Sequence, residues 1–197
     1  MPKNLTPELV QLYYKEALTT WHAKQADKND SVFMQVTADF LNGLGIVDHD
    51  AFLRDFTTTI FTTVYTPFKV GIPTEHYDLT NQLFIGAHEL THVTQFLHRP
   101  TVFPTLYLTN KTFRANSECQ AYGVSLELYW WDNNCGFNIP ERAKTLFSYG
   151  LQQEHVSYMT QYLEVLDSVF TQGGEVDEHA IWTKRWMEAH NLIPNYK

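Results

Sequence analysis

The sequence predicts an α+β fold, mainly helical with a small sheet. Three observations carry this. Most of the chain places apolar residues at three- and four-residue steps between recognisable caps, the pattern of amphipathic helices. One stretch, TTTIFTTVYTPFKVGI at 57–72, is instead rich in Thr, Ile, Phe, Val and Tyr, which favours strand. With 197 residues, 44% of them hydrophobic, the chain can bury a sizeable single core around that sum of elements.

The elements follow in order. Thr6 reads as an N-cap with Pro7 at the first helical position, and Leu9, Leu12, Tyr13 and Ala17 carry that helix to about His22. A second helix covers 31–42 and stops at Gly43 and Gly45. A short third runs from His49 to Asp55. In the strand-rich stretch, Pro67 and Pro73 confine the strand to an edge or turn. Helix resumes at Asp78 or Thr80 and continues through Leu97, where Pro100 and Pro104 end it. VFPTLYL reads as a short strand or extended crossover. Residues 113–131 are helical again. Pro140 opens a helical region to about Thr171, in which Val156, Met159, Leu163, Leu166 and Phe170 keep helical spacing. Gly173 and Gly174 break it, and Asp177 to His190 forms a last helix. The expected organisation is one domain over 1–172 and a helical appendage over 173–197, packed on the same domain.

Composition narrows the function. A formal charge of −8 argues against non-specific nucleic-acid binding, which needs dense Lys and Arg. No run of 18 apolar residues occurs, so no membrane span is expected. The N-terminus reads as a capped helix rather than a signal peptide. Cys119 and Cys135 are too few for a disulfide framework and read as reduced thiols. The expected location is the cytoplasm, with non-classical export or association with a virion as alternatives. Oligomeric state is not legible.

Chemistry concentrates in GAHELTHVTQF, residues 86–96. On a helix His88 and His92 project from one face, a turn apart, where two imidazoles can grip one metal ion. Glu89 sits about 100° round the helix, beside the metal. This is the H-E-x-x-H arrangement of zinc peptidases. A catalytic zinc takes three protein ligands and keeps one position open. Two residues compete to be the third. Glu118, in RANSECQAYG, follows by a helix end, a crossover and a return helix. His98 has the spacing of H-E-x-x-H-x-x-G-x-x-H. Gln95 stands at its turning glycine, and without that turn His98 falls about 240° from His92. Glu118 is therefore the better placed.

HELTHVTQ followed by ECQAY resembles the gluzincins, the glutamate-ligated zincin metallopeptidases, and in particular the small minigluzincin-like domains with H-E-x-x-H-x-x-Q and then E-x-x-A. The resemblance covers about 57–131. It implies an active-site helix, a following glutamate helix and a small sheet whose edge holds substrate. It also implies that His88, His92 and Glu118 bind Zn2+ and that Glu89 is the catalytic carboxylate. Such families often carry an acid four residues after the ligand glutamate to orient a histidine; here Tyr122 stands there. Asp78, Glu127, a carbonyl or a water are the expected substitutes.

The expected function is zinc-dependent hydrolysis of peptide or protein substrates, with Glu89 moving the proton. An oxyanion needs a further donor. His155 and Tyr149 lead that search, followed by Tyr158, Tyr107 and Tyr122. The 57–66 stretch is the expected substrate edge, by strand addition. The alternatives are a zincin-like assembly part, as in a phage particle or secretion apparatus, and a zinc amidase.

Overall fold

In the computed structural model, which describes residues 2–43 and 49–197, the first helix starts where its cap residues place it. Thr6 Oγ1 accepts from the Leu9 N–H at 3.3 Å, and Pro7 opens α1 (Pro7–Thr20). The same logic starts α4 (Leu79–His98), where Asp78 accepts from the Asn81 N–H at 2.8 Å. It also starts α6 (Lys111–Asn133), where Asn110 accepts from the Phe113 N–H at 3.0 Å. Each satisfies a donor that the helix itself leaves unpaired. The helices α2 (Val32–Gly43), α3 (His49–Asp55) and α9 (Glu178–Ala189) also form where their sequence patterns put them. Gly45 lies outside the described residues.

Among the described residues the sheet has three strands in the order β1 (Lys24–Asp27), β3 (Thr63–Thr66), β2 (Thr58–Ile60). β2 and β3 form the antiparallel hairpin of the strand-rich stretch, with Thr59 opposite Val64. β1 pairs parallel to β3, Gln25 opposite Val64. Its sequence KQAD has almost no strand preference, so it is a strand only because β3 offers a free edge.

Two expectations need correction. VFPTLYL is not extended: Phe103–Thr109 is a helix, α5, with its proline in the first turn. Proline has no N–H to lose there and its fixed φ suits the start of a helix, so Pro104 begins an element rather than ending one. Phe103 stacks on Tyr107 one turn on and meets Phe113 of α6 edge-on. The region after Pro140 is also not one helix. It divides into α7 (Ile139–Ala143), a 3₁₀ segment (Lys144–Tyr149) and α8 (Gln153–Thr171). Gly150, at φ 68°, makes the break in a conformation that favours glycine.

α4 runs through the middle of the molecule. Leu83, Ala87 and Leu90 join Tyr13 and Tyr14 of α1, Val124 and Leu128 of α6, and Trp186 and Met187 of α9 in one cluster. A second cluster unites α6 with α7, the 3₁₀ segment and α8 through Cys119, Leu126, Ala143, Leu146, Met159 and Leu163. Met159 is thus core. A third, around Met34, Ala38 and Phe52, seals α2 and α3 against Ile60 and Tyr65 of the sheet. Each fully buried Leu, Met or Phe among them contributes about 1.5–3 kcal/mol by leaving water. Among the described residues no helix is long and apolar enough to cross a membrane.

Candidate metal centre

α4 and α6 pack along each other, and the face between them carries the charged residues. His88 and His92 lie one turn apart, ring centroids 5.2 Å from each other. Glu118 of α6 reaches both. Its Oε1 is 3.5 Å from His92 Nε2 and its Oε2 is 3.9 Å from His88 Nε2. The three ligand atoms lie within 4.8 Å of one another. Zinc bonds of about 2.0–2.2 Å at tetrahedral angles set donors about 3.3–3.5 Å apart, so the cluster needs only a small contraction. His98 is elsewhere, exposed at the C-terminal end of α4.

The residues fit a cation. Glu118 is fully buried, and its Oε2 has no hydrogen-bond partner. A buried carboxylate oxygen that no described protein group donates to is an unsatisfied acceptor. Two imidazole nitrogens and one carboxylate are also a normal zinc donor set, with a fourth position left open.

Hydrogen bonds fix which ring nitrogen faces the site. Gln95 Nε2 donates to Ser117 O at 3.0 Å and Gln120 Oε1 at 2.8 Å, which aims its Oε1 at His92 Nδ1, 2.9 Å away. A carbonyl oxygen only accepts, so Nδ1 carries the proton and Nε2 offers its lone pair. His88 is set similarly. Ser125 Oγ donates to Ala121 O and sits 3.2 Å from His88 Nδ1. Burial, then the neighbouring His92 and Arg142, hold His88 well below its ordinary pKa, which keeps it neutral. These partners replace the ones expected. Asp78 caps α4, and Glu127 accepts from Lys184 and from the Val176 and Asp177 N–H groups. The signal for Gln95 was present, three residues after His92 on one helix face. Ser125 lies two turns after Glu118 on one face of α6.

Glu89 is buried beside the cluster. Its Oε2 accepts from Thr59 Oγ1 at 2.6 Å. Burial pushes its carboxyl above the usual range, opposed first by His92 and then by the Thr59 bond. Thr59 is on β2, one of the sheet's two edge strands.

Three tyrosines surround this group. Tyr107 donates to Glu118 Oε1 at 2.5 Å. Tyr122 stands edge-on to His88, centroids 4.8 Å apart. Tyr149, at the end of the 3₁₀ segment, touches Phe56 edge-on at 5.9 Å. Burial, then the Glu118 carboxylate, push the Tyr149 phenol well above its ordinary pKa. His155 serves its own helix: its Nδ1 accepts from the Gln152 N–H, closing a capping box at the start of α8. Tyr158 is 47% exposed and stacks on Tyr162.

Comparison with protein-family models, curated proteins and solved structures finds no match to this chain.

Proposed function

We propose that this chain is a zinc-dependent peptidase of the gluzincin type, with His88, His92 and Glu118 as ligands and Glu89 as the proton-transferring carboxylate. The observation that carries the reading is Glu118. A separate helix delivers its carboxylate to the Nε2 atoms of both H-E-x-x-H histidines and leaves Oε2 buried without a partner.

Bound zinc would supply Lewis-acid charge at the reacting carbonyl and bring the pKa of water toward 7. Glu89, raised by burial, takes the proton of the attacking water and passes it to the leaving nitrogen. Thr59 holds that carboxylate in place. Tyr107 is bound to the Glu118 carboxylate, whereas Tyr149, kept protonated by burial, bonds among the described residues only a neutral neighbour, Tyr122, and is the candidate donor to the developing oxyanion. Among the described residues no further strand pairs with the outer edge of β2, and an extended peptide added there would lie on the strand that carries Thr59.

The test is hydrolysis of a quenched fluorescent peptide library. The zinc-loaded parent should cleave, and a chelator should stop it. Glu89→Gln should lose about 10³-fold or more in kcat while retaining metal. Cleavage that survives Glu89→Gln would refute the assignment.

A further inference from the structure

Lys28 is buried outright. It follows β1, and its own N–H donates to Thr66 O of β3 at 2.8 Å. Its Nζ donates to Phe52 O at 2.7 Å, Phe56 O at 2.8 Å and Thr58 Oγ1 at 2.8 Å. All three partners are neutral oxygens. Phe52 O lies in the last turn of α3, where helix carbonyls lack intrahelical donors and a cation is welcome. The ammonium also lies 3.6 Å from the centroid of the Phe52 ring. Lys28 therefore binds the end of α3 to the start of β2.

A buried ammonium is costly to desolvate. Burial pushes the Lys28 amine down to about 7, and the charge of Glu89 acts against that shift. A methionine of similar length would fill the space without that penalty. What the lysine does that methionine cannot is donate to these oxygens, to all three while it is protonated and to two once it is neutral, and those bonds fix where β2 begins.

Successive strand residues face opposite ways. Thr58 turns to Lys28 and Thr59 turns to Glu89, at 2.8 and 2.6 Å. We propose that Lys28 is a positioning residue for Glu89, acting across β2 by setting the place from which Thr59 grips the carboxylate. Its effect on turnover rests on the peptidase reading; its effect on β2 does not.

The experiment compares the zinc-loaded parent with Lys28→Met, Thr59→Val and the double variant. Two readouts are taken, peptide hydrolysis and deuterium uptake over residues 56–66. Lys28→Met should lower kcat about tenfold with KM nearly unchanged, because a small displacement of a reacting group acts on the chemical step. The double variant should lose no more than Thr59→Val alone. Uptake over 56–66 should rise in Lys28→Met, with zinc content unchanged. Additive losses in the double variant, or unchanged uptake and kcat in Lys28→Met, would overturn the proposal. If Lys28→Met does not fold, Thr58→Val removes one of the three oxygens at nearly constant volume and is held to the same outcomes. If the parent cleaves no peptide, the peptidase reading fails, and uptake alone decides whether Lys28 sets β2.

Discussion

Gln95 shows how one residue outside the proposed ligand set decides what a histidine in it can offer a metal. By presenting only its carbonyl oxygen to His92, it fixes the proton on Nδ1 and frees Nε2. Gln95→Leu should keep the fold and lower zinc affinity about 10–100-fold, read by competition with a chromophoric chelator. Unchanged affinity would mean that the ring needs no such partner. Glu118→Ala should cost far more affinity, since it removes a ligand outright. Of this centre, the spacing of His88, Glu89 and His92 was legible because a helix repeats itself every few residues. Glu118 was legible only as a competitor to His98, since the approach of two helices is not written in local spacing. Ser125 and Thr59 were not singled out, because hydroxyl residues occur throughout the chain and only contact distinguishes these two.

At the scale of elements, close approach between helices places the site. A Cβ on Gly86 would stand 3.1 Å from the Tyr13 and Tyr14 rings, so glycine lets α1 press against α4 two residues before His88. A Cβ on Gly123 would stand 2.8 Å from Leu166 Cδ1, where α6 meets α8. Leu166 Cδ1 ends a side chain that can turn away, whereas the buried Tyr13 and Tyr14 rings at Gly86 are rigid, so Gly86→Ala should destabilise by about 1–3 kcal/mol through overpacking, despite alanine's better helix propensity. Thermal unfolding tests this, and a higher Tm would contradict it. The long helices were readable because caps and period agree along their length. β1 was not, because KQAD is a strand only through β3. α5 was misread because its aromatic and β-branched residues imitate a strand and its proline has opposite meanings at the two ends of a helix.

For the molecule as a whole, the sheet, α4 and α6 bring Lys28, Thr59, Glu89 and the ligand cluster into one line of contacts. This gives stability a particular pH dependence. The folded Lys28 amine sits at about 7 against an ordinary 10.5. Between those values the unfolded chain holds more protons, so this group's contribution rises with pH. Tyr13, Tyr14, Tyr107 and Tyr149 are raised above 10, which reverses the trend beyond that pH. Comparing urea midpoints from pH 7 to 9 isolates Lys28: the parent should gain stability relative to Lys28→Met across the interval, and a constant difference would contradict the coupling. The central claim, however, is the metal centre. Its most direct test is zinc content by mass spectrometry in the parent, Glu89→Gln and Glu118→Ala, purified identically and supplied with zinc. Stoichiometric zinc in the first two, with strong loss in Glu118→Ala, is the predicted result. Equal zinc in all three, or none in the parent, would contradict the account.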